Sequence, residues 1–155
     1  MIRRWLYIAL VIVATSFLAV VYDQVLFYSW VGYTELEIEF VVTDSGRPVP
    51  GASVQVHSEG GFFKGGEEEE DFVLVTDGNG IARTSCDDVW CSGEKSGLRL
   101  TDTYDVYMPW WQFQVTAPDY HASECYFLAS REFNKQVQRL GPGKAKLVVP
   151  IQLVR

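Results

Sequence analysis

The spacing of apolar positions changes abruptly within the first third of the chain. Residues 5–22 (WLYIALVIVATSFLAVVY) form a charge-free run softened only by Thr15 and Ser16. At about 1.5 Å per residue, that run predicts a helix just long enough to cross a hydrocarbon core. From Glu35 the period falls to two. Leu36, Ile38, Phe40 and Val42 share one side, and Glu35, Glu37 and Glu39 share the other. This predicts a half-buried strand over 35–43 with its glutamates outward.

Residues 44–51 (DSGRPVPG) are dense in turn formers, after which Ala52, Val54 and Val56 alternate with Ser53, Gln55 and His57 in a second strand. The glycine-rich stretch 60–66 leads into five consecutive acids, 67–71, whose mutual repulsion predicts an exposed loop. Residues 72–76 and 81–85 read as partners across the turn Asp77-Gly78-Asn79-Gly80. Residues 87–109 read as a long polar loop with a short strand near 98–100. Trp111, Phe113, Val115 and Ala117 then alternate with Trp110, Gln112, Gln114 and Thr116, so parity puts Trp111 in the core and Trp110 outside. Strands follow at 124–128 and 147–153, where Pro150 suggests an edge. Seven short strands without an amphipathic helix predict an all-β fold, an Ig-like seven-stranded antiparallel β-sandwich with Greek-key connections. The division is an anchor and juxtamembrane segment over 1–33 and a sandwich over 34–155.

Charge sharpens this picture. Arg3 and Arg4 precede the apolar run and Asp23 follows it, the pattern of a single span with the C-terminal domain outside the cytoplasm. Tyr22, Phe27, Tyr28, Trp30 and Tyr33 suit an interfacial aromatic belt. A cleaved signal peptide and a buried core helix are the competing readings. Against cleavage, residues 18–23 (LAVVYD) offer no small-x-small site, and the first cysteine, which a lipoprotein would need there, is Cys86. The expected location is a cell membrane, single-pass, with the domain periplasmic or extracellular. The chain carries −7 overall, and with Arg3 and Arg4 set aside 20 acidic and 11 basic residues remain, a net of −9. That balance, with no basic stripe, argues against nucleic acid as a partner.

Candidate chemistry is sparse. In an exported domain the three cysteines tend to oxidise. A local Cys86–Cys91 bridge is the favoured pairing, with a bridge to Cys125 and no bridge as alternatives. His57 and His121 have no zinc-ligand spacing with the cysteines. Asp77 and Asn79 resemble the start of a calcium loop but lack the downstream bidentate Glu. No nucleophile elbow, HExxH or phosphate loop is present. A Lys–Asn or Lys–Asp isopeptide crosslink finds no Lys in the first strand and no Asn in the last. The expectation is therefore no enzyme, no catalytic residue, no metal and no cofactor. Trp90, Tyr104, Tyr107 and Trp110, with Trp111, are the remaining lead, because a Trp facing water can stack on a sugar or a protein partner. The alternative is that 87–109 folds back over Trp110.

Three pieces in order, VVTDSGRPVPGASVQV (41–56), LVTDGNGIARTS (74–85) and FQVTAPDY (113–120), resemble the carboxypeptidase regulatory-like domain. The resemblance covers most of 36–153 and implies a transthyretin-like sandwich. It departs at Asp119, which stands where the family favours glycine before Tyr120 and calls for an αL-tolerant geometry, and in the long 87–109 stretch. It implies an accessory domain without chemistry of its own, structural or contacting an envelope protein. The rival function is a carbohydrate-binding module using exposed aromatics near Trp110, and a third is a subunit of an enzyme whose chemistry lies in another chain.

Overall fold

The structure, a computed structural model, describes residues 2–58, 70–96 and 101–155. Most of the glycine- and acid-rich loop and the short strand near 98–100 fall outside these residues. The elements run α1 (Ile2–Leu26), β1 (Phe27–Asp44), β2 (Arg47–Pro48), β3 (Ser53–Ser58), β4 (Glu70–Val75) and β5 (Ile81–Ser96). They continue with β6 (Thr101–Asp102), β7 (Asp105–Val106), β8 (Trp111–Thr116), β9 (Tyr126–Phe127), α2 (Arg131–Asn134), β10 (Gln138–Gly141) and β11 (Lys144–Gln152). The chain is mostly β, with an apolar N-terminal helix and two sheets. It divides into two bodies, Met1–Val31 with Ser92–Tyr104 and Gly32–Cys91 with Asp105–Arg155.

In the first body, α1 passes into β1 with no residue between them. None of its apolar stretch Arg3–Tyr22 is buried within the chain, which removes the core-helix reading. The stretch is long and apolar enough to span a membrane or to be a signal sequence. The end of β5 pairs with β6 at Lys95↔Asp102, and the rings of Trp30 and Tyr104 lie 5.9 Å apart.

The second body holds the core. Its first sheet runs β10-β11-β1-β5, with β2 against β1 and β7 against β5; its second runs β4-β3-β8-β9. Leu36, Ile38, Phe40 and Val42 are fully buried, as the period-two pattern requires. They meet the inward row of the second sheet, where Phe40 and Phe113 stand edge to face at 5.0 Å. Burying these rows drives the two sheets together, because neither apolar face leaves water alone.

Several expectations are corrected here. Eleven strands, not seven, occur among the described residues, and β1 pairs β11 in parallel, so the fold is not purely antiparallel. Residues 87–109 are not one long loop, because β5 continues to Ser96. A positive φ of 55° at Asp88 marks an irregularity after which the buried positions switch from even, at Ala82, to odd, at Val89 and Cys91. That switch is what hid the strand's continuation. Strand β11 is not an edge, since β10 flanks it. However, β10 pairs only with Lys144, Ala145 and Lys146, so Pro150 stands beyond it and removes no hydrogen bond from that ladder.

Candidate functional site

The three motif pieces converge on one end of the second body and are joined there by hydrogen bonds. Ser45 and Gly46 both have positive φ, 49° and 80°, the type I′ geometry that turns β1 into β2. Gly80 also has positive φ, and a Cβ there would come within 2.6 Å of the Val42 carbonyl oxygen, so only glycine fits. The buried Thr76 hydroxyl accepts from the Ala52 amide at 2.9 Å and donates to the Val49 carbonyl at 2.8 Å. Asp119 adopts φ 65°, the left-handed conformation its place before Tyr120 called for. The Tyr120 hydroxyl donates to Asp44 and accepts from Arg155, whose guanidinium also lies over the Tyr120 ring. That phenolic hydrogen bond raises the Arg155 pKa above its ordinary value, with Asp44 adding to it.

The outer face of the first sheet is closed by ion pairs. Lys144 reaches Glu35 at 3.1 Å, Lys146 reaches Glu37 at 3.9 Å and Glu39 at 2.9 Å, and Arg83 reaches Glu39 at 2.9 Å and Asp77 at 3.3 Å. Glu39 points away from the core, as predicted, yet its side chain is only 12% exposed because the two cations cover it. Hydrogen bonds from Lys146 and then Arg83 hold its carboxyl below the usual range. Asp77 is lowered first by the Ile81 backbone amide, then by Asn79. Its carboxylate caps its own turn, accepting from those amides at 3.0 and 2.8 Å, which accounts for the residues that resemble a calcium loop.

On the outer face of the second sheet Gln55, His57 and Asp71 are exposed. Strand register lays its side chains in rows across the strands. One row runs Asp71, His57, Gln112, Phe127, and the next runs Val73, Gln55, Gln114. A shallow groove of about 450 Å³ lies over these rows. His57 Nδ1 and Asp71 Oδ1 are 2.5 Å apart; Gln114 donates to the Ser123 carbonyl at 2.9 Å, and the Cys125 thiol is 3.8 Å from the Gln112 amide oxygen. Val73 and Val75 are exposed on the outer strand β4. His57, Asp71 and Cys125 line one groove, but no group of three or more His, Cys, Asp and Glu among the described residues is arranged to hold a metal.

The aromatic lead resolves into separate ring pairs. Trp90 stacks on Tyr107 at 4.9 Å, Trp110 meets Phe127 edge to face at 6.1 Å, and Tyr104 pairs with Trp30 in the first body. Trp110 keeps 49% of its surface and Trp111 only 9%, so parity assigned both correctly. The structure does not join Cys86 to Cys91 by a disulfide; both lie in β5, with the irregularity at Asp88 between them. Sequence reading treated Gln55, Gln112 and Gln114 only as outward polar positions and missed the groove they build. Cross-strand register brings them together, and a single strand's pattern does not carry that.

No family model matches the chain, and no curated protein matches it. Among solved structures, chlorocatechol 1,2-dioxygenase from Pseudomonas putida is similar over 79% of this chain and 61% of that enzyme, with TM-score 0.50 and 15% identity. Catechol 1,2-dioxygenase from Acinetobacter sp. ADP1, inhibited by bound mercury, is similar over 80% and 53%, with TM-score 0.50 and 16% identity. The chain spans less than two thirds of either enzyme, and at such identity the likeness is one of fold. It nevertheless corrects the expectation that the chain is not an enzyme. The fold is one that enzymes use, so a role without catalysis does not follow from it.

Proposed function

We propose that this chain is a membrane-tethered β-sandwich of the carboxypeptidase regulatory-like kind, displayed outside the cytoplasm as an interaction domain of the cell envelope. The observation that carries this reading is α1. Its 20-residue apolar stretch has a mean hydropathy of 2.2 and is exposed all round. A helix apolar on every side is stable only in lipid or against a partner. Twenty residues rise about 30 Å, the thickness of a hydrocarbon core. Arg3 and Arg4 then stay on the cytoplasmic side, and Tyr28 and Tyr33, both exposed, follow near the opposite headgroups. The open face of the second sheet is the surface this arrangement offers to other envelope components.

The test is fractionation of cells making the full chain, followed by an alkaline wash and protease added from outside. The full-length chain is expected to stay with the membrane, and residues beyond 33 to be digested. A mature N-terminus near residues 20–30, or release by the wash, would overturn the tether.

A further inference from the structure

We propose that the groove on the outer face of the second sheet binds a neutral carbohydrate, an inference that rests on the reading of that face as the interaction surface. The groove lies across β3 and β8, which are the inner strands of their sheet. Their backbone donors and acceptors are engaged in ladders on both sides, so a ligand over them meets side chains only. The groove also takes in Asp71, Phe72 and Val73 of the outer strand β4, but over β3 and β8 it presents no open backbone edge to a peptide strand. The floor also excludes other ligands. Its lining among the described residues includes no Lys or Arg, and Asp71 adds a carboxylate, which disfavours phosphates, sulfates and uronic acids. Gln55, Gln112, Gln114 and His57 make it too polar for a purely apolar ligand.

Uncharged hydroxyl groups fit these exclusions, since each both donates and accepts. A side-chain amide does the same, presenting a carbonyl oxygen and an NH₂ in one plane. Gln55 and Gln114 face each other in register, as do His57 and Gln112, so polar side chains recur along the groove at strand spacing, with His57 held by Asp71 and Gln114 donating to the Ser123 carbonyl. The amide of Gln55 is exposed and has no partner among the described residues. At the border, Trp110 lies two residues before Gln112 on the same face, and Phe127 is opposite Gln112. Their edge-to-face contact holds the indole while leaving about half of it exposed for the apolar face of a sugar ring.

The test uses the full chain in lauryldimethylamine oxide micelles, because a maltoside detergent would itself present a neutral sugar. Cellohexaose, laminarihexaose and chitohexaose are titrated while tryptophan fluorescence is followed, with a heparin oligosaccharide as the anionic control. Saturable binding of at least one neutral hexaose, and none of heparin, is expected. Gln55→Ala and Trp110→Ala are each expected to weaken it about tenfold while the chain stays folded, with only a small loss of stability in urea. Absence of binding by all three hexaoses up to about 10 mM, or binding indifferent to both substitutions, overturns the proposal. A photocrosslinker at position 55 separates this failure from failure of the interaction reading. Protein crosslinks in cells without hexaose binding overturn the carbohydrate proposal and leave that reading standing.

Discussion

On the outer face of the first sheet each carboxylate of β1 has met a cation, and Glu39 is covered by two. On the outer face of the second sheet the corresponding positions hold amides, an imidazole–carboxylate pair, exposed valines and a half-exposed indole. Both faces descend from the same alternation, polar outward and apolar inward, and both rest on one core. Yet the first pairs its carboxylates with cations across the strands, and the second carries mostly uncharged amides, of which Gln55 has no partner among the described residues. Exposed ion pairs contribute little stability each, about 0–1 kcal/mol, so the ladder's main consequence is to neutralise and occupy that face.

The comparison is sharpest within β8, where Trp111 at its start faces the core and the adjoining Trp110 faces the open side. Trp111→Ala empties a buried site where the indole meets Phe72 edge to face at 5.1 Å. A loss of about 3–5 kcal/mol is expected. Trp110→Ala removes a half-exposed ring and is expected to cost under about 1 kcal/mol. Urea melts of the full chain in micelles check both. A larger loss at Trp110 would mean that the open face is structural.

A smaller effect is expected on the closed face. Glu39→Lys would set a third cation between Arg83 and Lys146 and remove the acceptor they share. A loss of about 2 kcal/mol is expected, read as a shift in urea midpoint, and no change would mean that the ladder is not formed. Acidification probes the same group. Because the folded carboxyl is held below its ordinary value of 4.5, its contribution is full above that pH and is lost as pH falls through the lowered folded value. Asp77 is lowered too and acts in the same direction. The native chain is therefore expected to lose stability below pH 4.5 more steeply than Glu39→Gln, as melting temperatures at successive pH values would show. Equal slopes would remove Glu39 as the source.

How far the sequence could be read follows the range of each signal. The alternation through 36–42 was legible because its glutamates all fall on one parity, and Trp110 and Trp111 were separable for the same reason. Asp119 was legible as a left-handed position because it stands where a glycine is favoured. Beyond Ser85, β5 was illegible because the irregularity at Asp88 reverses the parity, and a period-two pattern that changes phase looks like a loop. The same misreading made Cys86 and Cys91 look bridgeable. The parallel pairing of β1 with β11 joins Glu35 to Lys144, far apart in sequence, and nothing in either strand encodes the partner's direction. The groove was hidden likewise, since Gln55 and Gln114 become neighbours only through register.

The smallest expected effect tests the comparison from the open side. Gln55 sits on β3 between Val73 and Gln114, exposed, with no partner for its amide among the described residues. Gln55→Lys removes no hydrogen bond found among those residues and places a cation on an acidic domain, with Asp71 one row away. The aliphatic stem can lie over Val73 while the ammonium stays in water. A change within about 0.5 kcal/mol in either direction is expected, against the larger loss for a lysine at Glu39. Urea midpoints of both variants, measured at one pH and salt concentration, make the comparison direct. A loss at Gln55 equal to that at Glu39 would show that the amide row stabilises the fold as much as the ion-pair ladder does. The groove would then have no side chain to spare for a ligand.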